Sequence, residues 1–209
     1  MTLSRLFDEL SALLSGDYTI EANAIKALQK ADAEIDLKYQ SSPLSAPFLE
    51  VMAQAEANPI CDLIRDIPFH WAPPETSKDP LYKQHSHFKA HVELLGPTGL
   101  VPSSEVRVGL YGMLPHSEYG IRTHPAEETY LMLAGNAFWK RGDDAYEQLF
   151  TGQRSYHPSM MPHATRTEDS AFMSVYIWDG DISTDQYTYL GLPETSIEKS
   201  KITGTENRG

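Results

Sequence analysis

Three side chains in this sequence are of the types that hold a borderline divalent metal: His124, Glu128 and His163. Imidazole nitrogen and carboxylate oxygen both suit such an ion. The first two stand in the run His124-Pro-Ala-Glu-Glu128-Thr-Tyr130, and the third follows Pro162. Tyr130 lies two residues beyond Glu128, so on a strand both side chains share one face. A phenol beside a metal ion points to proton abstraction. The ion would lower the phenol's pKa from about 10 and stabilise the negative charge left by a lost proton.

His124 and Glu128 can share an ion in two ways. A helix puts positions four apart on one face. The segment has helix-start features, with Pro125 in a first turn, acids at 127 and 128, and Gly135 as a stop. On one straight strand the two would lie about 13 Å apart, too far to share an ion. A bend at Pro125-Ala126 would instead set His124 on one strand and Glu128 on the next, and Thr129-Tyr130-Leu131 favours a strand by propensity. These residues alone leave both routes open.

The elements that must place these residues change character near Phe69. Upstream, Leu3, Leu6, Phe7, Leu10, Leu13 and Leu14 recur at helical spacing up to Gly16. Ala24, Ile25, Leu28, Ala31 and Ile35 predict a second amphipathic helix over 20–37, with further helices over 48–57 and from Pro59 through Ile64. Downstream, short β-type runs at 87–95, 106–113, 128–134, 137–140, 147–150 and 171–178 alternate with turn signals. Many short strands at this spacing predict a sandwich or small barrel. The expected layout is a helical region over 1–68 bracing a β-domain over 69–192, then a polar tail over 193–209.

Gly152, Pro158 and His163 stand in the order and spacing of the second characteristic motif of the cupin superfamily, with Met160 where that motif has glycine. His124, Glu128 and Gly135 match its first motif, and Arg122 stands where the first histidine of the usual His-x-His pair belongs. The chain therefore resembles the cupins over roughly 106–180. That resemblance implies a mainly β fold, a double-stranded β-helix or jelly-roll barrel with the metal inside, preceded by the α-helical region. The missing histidine leaves a coordination position that Tyr130 could fill. With the helical N-terminal third, the run His-Pro-Ala-Glu-Glu-Thr-Tyr and the later Gly-Asn-Ala-Phe-Trp, the chain resembles the cupin-type lyases of dimethylsulfoniopropionate (DMSP), of the DddQ type.

The resemblance implies that His124, Glu128, Tyr130 and His163 bind one divalent transition metal ion and that Tyr130 is also the catalytic base. It implies that Tyr119 and Trp178 bind the substrate. That substrate would be a small zwitterion, split by β-elimination into dimethyl sulfide and acrylate. The chemistry is coherent, because a proton alpha to a carboxylate is very weakly acidic and metal coordination would stabilise the developing enolate. An aromatic wall would hold the sulfonium by about 1–2 kcal/mol of cation–π attraction. Trp139, Trp178, Tyr111, Tyr119 and Tyr176 are candidates, and on a strand Phe172, Ser174, Tyr176 and Trp178 share one face. The same ligands would serve another cupin metalloenzyme, such as a non-haem iron dioxygenase or an isomerase, or a non-catalytic cupin that binds a small molecule. They suit Zn(II), Fe(II), Mn(II), Co(II) or Ni(II) without choosing among them.

At 209 residues the chain suits one domain, or one domain with an attached helical subdomain. A net charge of -12 with no Lys/Arg cluster argues against a nucleic-acid partner and disfavours an anionic membrane. Cys61 is the single cysteine, so neither an intramolecular disulfide nor a thiolate zinc cluster can form, and it reads as core. Asp8 and Glu9 interrupt the N-terminal run, which is neither signal peptide nor membrane helix, so the cytoplasm is the expected location. His85, His87 and His91, with Glu93 in step, could form a rival metal site, but on a straight strand Glu93 would lie about 20 Å from His87, so they read as the wetter face. His70, His116 and His157 adjoin aromatic, proline or turn residues and read as structural.

Overall fold

The computed structural model describes residues 3–35, 37 and 42–193, so the expected polar tail, apart from Pro193, lies outside the described residues. The chain forms α1 (Leu3–Leu13), α2 (Thr19–Lys30), α3 (Ala46–Met52), α4 (Ile60–Asp66) and a short α5 (Pro80–Gln84). The strands follow: β1 (Lys89–Gly96), β2 (Val101–Pro102), β3 (Arg107–Met113), β4 (Glu118–Thr123) and β5 (Glu127–Arg141). Then come β6 (Glu147–Phe150), β7 (Arg154–His157), β8 (His163–Arg166), β9 (Phe172–Asp179) and β10 (Thr188–Gly191). Among the described residues no helix is long and apolar enough to cross a membrane.

In α1, Leu3, Leu6, Phe7 and Leu10 form one buried stripe, as the helical spacing predicts. The second helix is shorter than expected. It ends at Lys30, where Ala31 turns extended and its N–H bonds back to Leu28 O. Asp32 and Glu34 lie just beyond, where negative charge opposes the helix dipole. The third starts two residues earlier than expected, with Pro47 in its first turn, and stops at Met52.

The strands run in the order β10-β4-β8-β5-β9-β3-β1-β2, with β6 and β7 also paired to β5. Strand β5 joins two layers of this jelly roll. Its first half pairs with β9 and β7, its second with β8 and β6. The two strands expected at 128–134 and 137–140 are thus one bent strand. Its register slips between Met132 and Ala134, and Gly135 takes φ +71, where a Cβ would lie 2.1 Å from Ala171 O.

Alternation along β9 divides the core. Phe172, Tyr176 and Trp178 join the barrel interior, while Met173, Val175 and Ile177 join the cluster beneath the helices. Because helices cover the outer face, both faces of this strand are buried and it reads as a continuous apolar run. Polar ties hold α2 there: Arg154 Nε bonds the buried Glu21 at 2.5 Å, and Asn23 Nδ2 bonds Asp179 at 2.8 Å.

Candidate metal centre and its cavity

Strand, not helix, presents the ligands. His124 lies in the bend between β4 and β5, Glu128 is the second residue of β5, and His163 opens β8. The loop before β8 is tied to the bend by Met160, whose N–H bonds His124 O at 2.9 Å. Met160 stands at the glycine position of the cupin motif and adopts the glycine-like φ of 62.

The three side chains are 3%, 2% and 1% exposed, and their ligand atoms lie within 4.8 Å of one another. Nε2 of His124 and Nε2 of His163 approach Glu128 Oε2 at 3.4 and 3.1 Å. Neither nitrogen makes a hydrogen bond. Each ring turns Nδ1 to a backbone carbonyl instead, at Ala126 O (3.1 Å) and Met161 O (2.8 Å). A carbonyl can only accept, so the proton belongs on Nδ1 and the lone pair on Nε2, the tautomer a metal ligand needs. Two buried lone pairs and a carboxylate converging without mutual hydrogen bonds fit a divalent ion.

The register holds Glu128 from both sides, since it is opposite His157 on β7 and Trp178 on β9. Trp178 Nε1 donates to Glu128 Oε1 at 2.6 Å, and His157 Nδ1 lies 3.2 Å from Oε2. Burial drives His163 well below its ordinary value, with Arg122 adding to the effect, so its ring stays neutral. For Tyr130 burial, then the Glu128 charge, push the phenol well above 10, with Arg122 opposing.

Glu128, His124 and Tyr130 open onto a cavity of about 300 Å³ that Tyr119 and Trp178 also line. The structure thus places all six residues singled out from the sequence in one region, with His163 behind His124 at a ring separation of 5.0 Å. Tyr111 and Tyr176 line the cavity too, whereas Trp139 is fully buried under Tyr130, with ring centroids 4.5 Å apart. Trp139 therefore leaves the list of wall candidates. The Tyr119 ring already carries two cations of the protein, Lys89 Nζ at 3.1 Å and the Arg122 guanidinium at 4.0 Å.

His157, read as structural, is a fully buried partner of Glu128, stacked on His163 at 4.2 Å. His91 is on the less buried face of β1, as expected, and that face lines the cavity, with His91 2.8 Å from the Tyr176 hydroxyl. Tyr82 on α5 and Tyr187 before β10 complete the cavity wall and had no signal in the sequence beyond being tyrosines among turn residues.

A jelly roll carrying a His-Glu-His cluster beside its central cavity defines a cupin with a metal-type site. The dimethylsulfoniopropionate lyase family model matches residues 17–174, and the chain belongs to that family. It is 37% identical over 104 residues to dimethylsulfoniopropionate lyase DddQ of Ruegeria pomeroyi, an alignment covering 50% of this chain and 51% of that protein. The chain thus spans about half the length of the curated relative it matches. The crystal structure of DddQ from Ruegeria pomeroyi DSS-3 is similar at a TM-score of 0.60 and 23% identity, covering 89% of this chain and 96% of that one. A structure described as that of DMSP lyases RdDddP and RnDddQII is similar at 0.61 and 21%, covering 90% and 95%. At these identities the two structures establish the shared fold.

Proposed function

We propose that the protein cleaves dimethylsulfoniopropionate to dimethyl sulfide, acrylate and a proton, with Tyr130 as the base. The observation that carries this reading is the Tyr130 phenol set against Glu128 on the cavity, beside two histidine lone pairs turned to one point. His124, Glu128 and His163, with Tyr130 as a fourth ligand, would hold one divalent ion, and zinc, iron(II) and manganese(II) suit these donors. Such an ion supplies positive charge to the substrate carboxylate and to the phenol. Without it, burial and Glu128 keep Tyr130 protonated, so the base depends on the ligand cluster.

Tyr130 takes the proton from the carbon alpha to the carboxylate. The C–H electron pair becomes the new C=C bond, and the C–S pair leaves with sulfur. Tyr111, Tyr176 and Trp178 line the cavity with aromatic rings whose faces would attract the sulfonium, while Tyr119, with its ring covered by Lys89 and Arg122, contributes wall.

The test is headspace detection of dimethyl sulfide after adding dimethylsulfoniopropionate to metal-loaded protein, with a chelated control. Dimethyl sulfide is expected from the loaded sample alone. A loaded, folded protein that leaves the compound intact sinks the reading, and oxygen uptake with other substrates would move it to the oxygenase class.

A further inference from the structure

Buried polar atoms without partners cluster around this cavity. Besides His124 Nε2 and His163 Nε2 they include Arg122 Nη1 and the Tyr111 hydroxyl, both on cavity-lining residues. Arg122 is the extreme case. It is 1% exposed, its Nη2 bonds Thr165 Oγ1 at 3.3 Å, and its guanidinium lies over Tyr119. No carboxylate among the described residues forms an ion pair with it. Leaving a buried charged donor unpaired is more costly than leaving a neutral one, so such a group awaits an anion.

We propose that Arg122 Nη1, assisted by the Tyr111 hydroxyl, is an anchor for the carboxylate of a small aliphatic acid bound in the cavity. Position 122 faces His163 across the β4–β8 ladder, so a carboxylate held there lies beside the metal-type cluster. Guanidinium is charged at every working pH, so the anchor needs no proton. It also explains the loss of a ligand histidine here: the position serves the substrate in place of the metal. The identity of the acid as substrate or acrylate product rests on the function proposed above; the existence of the anchor does not.

Propionate and its uncharged amide, propionamide, are inert probes of equal size. Binding is read by ligand-observed NMR on metal-loaded protein, and again on chelator-treated protein. Wild type should prefer propionate at least tenfold in both states. Arg122→Gln should bind propionate about ten- to a hundredfold more weakly and lose the preference, which is the effect of removing one charge-assisted hydrogen bond. Arg122→Lys should recover part of it, and Tyr111→Phe should lose less than Arg122→Gln. Equal binding of the two probes by chelator-treated wild type overturns the anchor without any variant, as does unchanged propionate affinity in folded Arg122→Gln. If wild type forms no dimethyl sulfide while propionate binding still follows Arg122, the substrate reading falls and the anchor stands. Dimethyl sulfide formation with propionate affinity indifferent to position 122 does the reverse.

Discussion

Two groups of polar side chains flank the same cavity, and they differ in how completely the protein satisfies them. On the β1–β3 wall, Arg107 Nη1 reaches Glu93 at 2.6 Å and Arg107 Nε donates to Ile182 O. Glu93 also accepts from the backbone N–H and hydroxyl of Thr98, and His91 meets the Tyr176 hydroxyl. On the β4–β8 side, His124 Nε2, His163 Nε2 and Arg122 Nη1 are buried with no hydrogen-bond partner. Unpaired burial costs about 1–3 kcal/mol per group and is kept where something outside the chain completes it. Apart from the Tyr111 hydroxyl, the first wall satisfies its polar groups within the chain, whereas the second offers its free nitrogens to the proposed ion and carboxylate.

The largest effect should come from breaking the unsatisfied side. Glu128→Gln keeps the shape but removes the carboxylate ligand, so metal content by atomic absorption should fall to background and turnover with it. Retention of a full metal equivalent would show that the histidines alone bind the ion. Tyr130→Phe is the next step down. Metal should remain, while turnover falls about 10²–10⁴-fold, the usual worth of a positioned base. Near-normal turnover with metal bound removes Tyr130 from that role.

The satisfied wall should answer in stability instead. Glu93 and Arg107 side chains are 9% and 12% exposed, so Arg107→Met leaves a largely buried carboxylate without its cation. Unfolding in urea should show a loss of about 2–4 kcal/mol, most of it recovered when Glu93→Gln is added, with metal content unchanged. If Arg107→Met loses metal rather than stability, the division of the cavity into two walls is wrong.

Much of the unsatisfied side was legible in the sequence, because ligand chemistry restricts residue types and His124, Glu128 and His163 sit close to turns with strong local signals. Their bend was not. Pro125 and the acids after it suit a helix start as well as a corner, and only pairing to β8 and β9 decides. Strands β4, β7 and β8 are four to six residues long and carry charges, so their alternation is too brief to read. His157 shows the limit most clearly. Its role comes from register, which sets it opposite Glu128, and register is a property of two strands.

Acid should erode both walls together. Burial, then Arg107 and Lys89, lower His91 to about 4, and burial also lowers His163 and His157. Each ring takes up its proton in the unfolded chain near 6.5 but in the folded protein only at lower pH, so stability falls as pH drops below about 6.5. The urea midpoint of metal-free protein should therefore decline from pH 7 to 5, and His91→Gln should flatten part of that decline. A midpoint constant over this range contradicts the buried, neutral histidines.

Met160 should give the smallest effect and the finest test of the comparison, since it serves the ligand side through its backbone alone. Its side chain is 47% exposed, its φ is 62, and its N–H holds His124 O. An L-residue in this region costs about 1–2 kcal/mol, which glycine avoids. Glycine also gains about 0.4–1 kcal/mol of chain entropy in the unfolded state, which offsets part of the relief. Met160→Gly should therefore raise stability by about 0–1 kcal/mol, or at most a few degrees in Tm, with metal affinity unchanged because the N–H to His124 O is retained. A lower Tm, or weaker metal binding at equal Tm, would mean that the methionine side chain itself supports His124. The unsatisfied side of the cavity would then depend on packing at its rim as well as on the backbone geometry that the glycine position supplies.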